Sequence, residues 1–186
     1  MPITPYVGMV DAALRFKSGT PPVWLCIGRY TPWDDENAPP NENDFTHHPE
    51  YLDVTVPEEP IALKRVDFMG LCVPDANGDI RYLQQRYSYV SDTSAVSLLA
   101  RWCYIRASLN YYEKNSAGNV VIGSATYRQA TLLSGVVSLP AFKNESVLAP
   151  SQVQSYGRIV CVTNFSPRER DPKMRDVLEF VREFRG

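Results

Sequence analysis

Histidine is nearly missing from the chain: only His47 and His48 occur among 186 residues. Adjacent side chains converge poorly on one metal ion, and no histidine remains elsewhere for a triad, so the commonest general base is absent from most of the sequence. An excess of one charge is missing too. Formal net charge is -2, and the longest run of like charge is Asp34, Asp35 and Glu36. No basic footprint exists for nucleic acid or an anionic membrane, and neither is expected as a partner. No apolar run reaches the length of about 18 residues that a membrane-spanning helix needs. The N-terminal "MPITPYVGMVDAALRF" lacks the basic start and apolar core of a signal peptide, so a soluble chain made in a cytosol is expected.

Closely spaced cysteines are absent as well. Cys26, Cys72, Cys103 and Cys161 lie far apart, each within an apolar stretch. That spacing fits neither a zinc site nor a disulfide scaffold, and packed free thiols are expected. "GNVVIGSAT" lacks the lysine of a phosphate loop and the glycines of a dinucleotide turn, and no serine sits in a nucleophile elbow. The acids of "WDDENAPP" lack the alternating ligands and turn glycine of a calcium loop. No catalytic residue, metal site or cofactor is therefore expected.

The composition, 44% hydrophobic and 22% charged, is that of an ordinary folded domain, and the length suits a single one over residues 1–186. Val7, Val10, Ala13 and Leu14 recur at helical spacing near the N-terminus. "VWLCIGR" reads as a strand. Residues 30–60 form a long loop rich in proline, acids and amides, and loops of that length are commonly functional. "IALKRVDFMGLCV" and "IRYLQQRYSYV" flank "PDANGD", where Asn77-Gly78 tolerates positive φ and signals a β-hairpin. "SDTSAVSLLA", residues 91–100, suits one or two helical turns with Ser91 or Asp92 as cap. In "RWCYIRASLNYY", Cys103, Ile105, Ala107 and Leu109 alternate with Tyr104, Arg106 and Ser108, which suggests a strand with a polar second face. The tyrosine clusters fit a core edge or a protein interface. "YGRIVCVTNF" reads as a last strand. "DPKMRDVLEFVREFRG" reads as a helix with Asp171 as cap and Met174, Val177, Leu178, Val181 and Phe184 as its apolar stripe. The expected fold is mainly β (α+β): an antiparallel β-sandwich with an N-terminal and a C-terminal helix and a long Pro-rich loop.

The stretch "VWLCIGRYTPWDDENAPP" resembles a signature of the baseplate wedge subunit family of contractile-tailed, T-even-type bacteriophages. The elements are an apolar strand ending in Gly28-Arg29, then Thr31-Pro32-Trp33, an acidic stretch from Asp34 to Asn37, and Pro39-Pro40. "LKRVDFMGLCVP", "ARWCYIRASLNYY", "TYRQATLL" and the C-terminal segment match the family's order more loosely. The resemblance implies a non-enzymatic structural virion protein, assembled in the host cytoplasm, whose partners are other baseplate or tail proteins. The best-known type forms a homodimer, which places a second copy among the implied partners, although this chain is much shorter than that type. A neck or tail-completion adaptor is an alternative. A small hydrolase or carbohydrate-binding module is another, from a different class.

On that reading, Arg29, Tyr30, Trp33, Asp34, Asp35, Glu36 and Asn37 form a partner-contact arm. Gly28 permits a sharp exit from the strand, Pro32 fixes the backbone before Trp33, and Pro39-Pro40 stiffen the end of the arm. The acids select a basic neighbour. Two roles stand open for Trp33: an anchor in the next subunit, or a plug that folds back on its own domain.

Overall fold

A computed structural model describes residues 5–40, 55–123 and 125–185. The histidine pair and the middle of the long loop lie outside the described residues.

The chain opens with α1 (Tyr6–Lys17), whose last turn carries Arg15 and Lys17, cations suited to the negative end of the helix dipole. Val10 and Ala13 are buried, whereas Val7, from the expected stripe, is 49% exposed. Fourteen strands come after it among the described residues: β1 (Val23–Gly28), β2 (Pro60–Arg65), β3 (Phe68–Pro74), β4 (Ile80–Tyr82), β5 (Gln85–Val90), β6 (Trp102–Leu109), β7 (Glu113–Lys114), β8 (Val120–Ile122), β9 (Tyr127–Ser134), β10 (Val137–Ser138), β11 (Val147–Leu148), β12 (Val153–Ser155), β13 (Arg158–Arg168) and β14 (Asp176–Glu183). The fold is mainly β, as the sequence indicates, and the registers of its principal pairs are antiparallel.

Two compact units share these elements. One comprises Met1–Thr20, Val66–Ala107 and Val177–Gly186, with a sheet ordered β14-β6-β3-β5-β4. Helix α1 packs Val10 and Ala13 against Leu71, Ala95 and Ala100 there. Ser91 accepts a hydrogen bond from the Ser94 N–H and caps a short 3-10 turn, Asp92–Ser94, within the stretch that suits a helical turn. The other unit comprises Pro21–Arg65 and Ser108–Asp176, with a sheet ordered β11-β2-β1-β9-β13 and the small pairs β10-β12 and β7-β8. Trp24, Cys26, Leu63, Leu133 and Leu148 pack with Val153 of β12 on one side of this sheet, a sandwich-like layering. Strand β1 is buried at all positions, which is why its residues read as a continuous apolar run rather than an alternation.

Three expectations change. Residues 171–185 form no helix. Asp171 closes a turn instead, its carboxylate accepting from the Lys173 N–H at 2.8 Å and its carbonyl from the Met174 N–H at 3.1 Å. The sequence holds two competing periods: Met174 and Val177 of the helical stripe are 67% and 48% exposed, whereas Leu178 and Phe180, two apart, are each 3% exposed. Hydrogen bonding of β14 beside β6 satisfies the backbone and selects the period of two.

A turn forms at Asn77-Gly78, the Gly78 N–H donating to the Asp75 carbonyl at 3.0 Å, but it joins no hairpin: β3 and β4 both pair with β5, so the tight hairpin is β4–β5 with its turn at Leu83-Gln84, and β2 enters the other sheet. Gly78 is not at positive φ. It is needed for clearance, since a Cβ there would stand 2.2 Å from the Tyr87 carbonyl oxygen. Finally, the second face of β6 is only partly polar: Tyr104 and Ser108 are buried, and Arg106 alone of the three is exposed. The four thiols are free, as expected. Burial pushes those of Cys72 and Cys103 up to about 12.

Candidate functional site

The stretch that carries the family resemblance spans β1 and the arm after it. A Cβ on Gly28 would stand 2.4 Å from the Glu58 carbonyl oxygen, so glycine is required for residues 58–59 to approach. The sharp exit belongs to the next residue. Arg29 sits at φ 54° and Glu59 at φ 41°, a left-handed conformation that costs a non-glycine residue about 1–3 kcal/mol. Hydrogen bonds hold it: the Arg29 N–H is shared between the carbonyls of Glu58 at 3.1 Å and Glu59 at 3.2 Å, and its guanidinium pairs with the Glu58 carboxylate. Thr31 donates from its hydroxyl at 2.6 Å and its N–H at 2.9 Å to the two oxygens of Glu59. These bonds hold the Glu59 carboxyl below its ordinary range.

Trp33 folds back. It is 6% exposed, its indole N–H donates to the Phe165 carbonyl at 2.8 Å, and the Arg29 guanidinium lies 3.7 Å above its ring. The plug reading of Trp33 is the one the structure shows. Glu36 turns inward as well, onto Arg128 of β9. The Arg128 Nε lies 2.8 and 3.0 Å from the two Glu36 oxygens, and Nη2 lies 2.7 Å from the nearer one. Such forked pairing is the strong form of the carboxylate–guanidinium bond. The Arg128 hydrogen bonds depress the Glu36 carboxyl, against the opposing effect of desolvation. Arg128 Nη1 also donates to the Tyr30 carbonyl at 2.7 Å, and Asn164 Nδ2 to the Pro40 carbonyl at 2.6 Å. The Asn164 oxygen is held in turn by the buried Gln129, at 3.0 Å.

Between the anchors the backbone turns on Asp35. Its carboxylate accepts from the Asn37 N–H at 2.9 Å and its carbonyl from the Ala38 N–H at 3.2 Å. Tyr30 is 64% exposed, and Asp34, Asp35 and Asn37 are also exposed. The seven residues singled out from the sequence therefore divide. Arg29, Trp33 and Glu36 are anchors within their own unit; Tyr30, Asp34, Asp35 and Asn37 face outward.

Sequence reasoning missed the receiving side: Glu58, Glu59, Arg128, Gln129, Asn164 and the Phe165 carbonyl. One signal was present. Arg128-Gln129 is a long polar pair inside "TYRQATLL", a strand buried at every position but its last, and a buried polar pair needs partners. Among the described residues, no group of three or more His, Cys, Asp or Glu side chains could hold a metal ion.

Comparison with known proteins agrees with the motif. The model of a family described as "Baseplate wedge 3 tail fiber network component" matches residues 1–184. "Virion protein 3" of Enterococcus phage phiEF24C is 25% identical over 175 residues, which cover 91% of this chain and 86% of that protein. The protein is a structural component of the phage virion, located in the tail baseplate among other baseplate and tail proteins. Its chain belongs to the baseplate wedge 3 tail fiber network component family.

Proposed function

We propose that residues 29–40 are the arm by which this chain joins a neighbouring baseplate component, that the neighbour presents a basic patch, and that the protein does so without catalysis. One observation carries the reading: the arm is fastened at Arg29, Thr31, Trp33, Glu36 and Pro40, while Tyr30, Asp34, Asp35 and Asn37 stand outward between the fastenings. A surface fixed before contact loses little conformational entropy on binding. Tyr30 supplies an amphipathic ring, and the paired acids steer a cationic partner and oppose an acidic one. Two copies meeting through this arm would bring like charges together, so the reading favours a different protein over a second copy at this surface.

The test is the double substitution Asp34→Lys, Asp35→Lys. Neither carboxylate forms an ion pair among the described residues, and only the hydrogen bond from the Asn37 N–H to the Asp35 carboxylate is lost, so the isolated chain stays folded and loses no more than the roughly 0.5–1.5 kcal/mol of one exposed hydrogen bond. Incorporation into tails, measured by complementing a phage that lacks the gene and purifying particles, falls at least tenfold. Incorporation at the unsubstituted level with a folded chain would overturn the arm as the contact.

A further inference from the structure

A second surface lies in the other unit, where the β3–β5 ladder stops short. Its register pairs Leu71 with Val90 and Val73 with Ser88, and the Asp75 N–H donates to the Arg86 carbonyl at 3.0 Å. That bond fixes the phase. In an antiparallel ladder the backbone groups of alternate residues point the same way, so Leu71, Val73 and Asp75 direct their N–H and C=O toward β5. Phe68 and Gly70 direct theirs toward β6. Met69 has the phase of the odd residues, but β5 ends at Val90 and the chain departs into the Asp92–Ser94 turn. No backbone hydrogen bond to Met69 on that side is found among the described residues.

The space beyond this edge is an open groove of about 680 Å³, lined among others by Phe68, Met69, Tyr89, Ser91, Asp92 and Lys17. Phe68 and Tyr89 are 40% and 52% exposed, and their rings pack over Gly70, where a Cβ would stand 3.0 Å from Phe68 and 3.2 Å from Tyr89. At the rim, the Lys17 ammonium is 2.6 Å from Asp92, so the charges lining the groove cancel.

We propose that this groove accepts one extended segment of a partner protein, which adds as a short strand to the open edge of β3. An unpaired N–H and C=O pair on a strand that already has a ladder on its other side is complementary to another strand's backbone. The side chains flanking the residue opposite Met69 fall on the face of Phe68 and Tyr89, and apolar residues suit those places. The compensated rim favours an uncharged segment over an acidic or basic one. The slot is independent of the acidic arm, which lies in the other unit.

The experiment uses the full chain, labelled with ¹⁵N, and the uncharged peptide acetyl-Thr-Val-Thr-Val-Thr-Gln-amide as probe. In the free chain the Met69 amide exchanges at least tenfold faster than that of Leu71. Adding the probe shifts the Met69 resonance and slows its exchange. Met69→Pro removes the outward N–H, together with the methionine side chain, at an edge position where proline is found, and weakens probe binding about fivefold, as loss of one hydrogen bond of about 1 kcal/mol requires. A probe N-methylated at the threonine between its two valines, the residue that faces Met69, binds the unsubstituted chain more weakly by a similar factor, which keeps the test valid if Met69→Pro fails to fold. A Met69 amide already as protected as Leu71 would show the edge filled by the chain itself. Probe shifts that spare Met69, or equal binding of the methylated probe, would also overturn the proposal.

Discussion

Replacing Trp33 by alanine tests whether the arm is held by its own unit. A tryptophan side chain buries roughly 200 Å², worth about 5 kcal/mol at ~25 cal/mol per Å². The Phe165 hydrogen bond adds about 1 kcal/mol, and the stacked Arg29 guanidinium about 0.5–1 kcal/mol. The full sum is not lost, because the arm can detach while β13 remains paired with β9. Detachment returns chain entropy of about 1 kcal/mol for each residue released and relieves the left-handed strain at Arg29. With about three or four residues around Trp33 released, the net expectation is a loss of about 3 kcal/mol, the low end of the ~3–5 kcal/mol usual for a buried Trp→Ala. For a chain of this size that corresponds to a fall in Tm of roughly 6–12 °C.

Urea and thermal unfolding of the purified chain, with hydrogen exchange on the arm amides, give the readout. Exchange should accelerate first at Thr31 and Ala38, before the β9 and β13 amides respond. Trp33→Phe keeps most of the apolar area and loses only the N–H, so a loss of about 1–2 kcal/mol is expected. The reasoning fails if Trp33→Ala lowers Tm by less than about 2 °C and the arm amides keep their protection. Arg128 and Asn164 would then be sufficient fastenings by themselves.

Acid should loosen the arm only well below neutrality. Glu36 and Glu59 have folded-state pKa values depressed by Arg128 and Thr31 respectively, so their contribution is complete above the ordinary carboxylate range and is lost as pH falls through the depressed values. The arm amides should therefore keep their protection from pH 7 to about 5 and lose it only below the ordinary carboxylate range; release near neutrality would contradict the ion-pair geometry. Each compact unit is assembled from separated chain segments, so neither has a continuous sequence with which to fold alone. We propose that residues 1–186 unfold as a single domain, with circular dichroism and tryptophan fluorescence giving coincident urea transitions; two resolved transitions would refute it.

How much of the fold could be read depended on where local and long-range preferences agreed. Helix α1 and strand β1 were legible because Val10, Ala13 and the run from Val23 to Ile27 carry one pattern each. Strand β14 was not legible. Its residues satisfy a helical stripe and a strand alternation at once, and the neighbour that decides between them, β6, lies more than sixty residues earlier in the sequence. Gly28 and Gly78 show a related limit. Both suggest conformational freedom in sequence, and both are required because another backbone passes within 2.4 Å or less of the absent Cβ. Proximity of that kind is a tertiary property that no local window contains.

The acidic stretch failed differently. Asp34, Asp35 and Glu36 look equivalent in sequence, and all three read there as partner contacts. A buried guanidinium decides otherwise: Arg128 is only 8% exposed, and a charge so placed needs a carboxylate partner. Glu36 pairs with it and Asp34 stands exposed, so the first and third acids of one run face opposite ways. On the function proposed above, this division is what makes the arm usable as a contact. An arm whose acids all faced outward would remain mobile and would have to be ordered by its partner, whereas the inward turn of Glu36, two residues after Asp34, holds the backbone that Asp34 and Asp35 depend on. Charge reversal should consequently act in two distinct ways within three residues: Asp34→Lys on assembly with a stable chain, and Glu36→Lys on the stability of the chain itself.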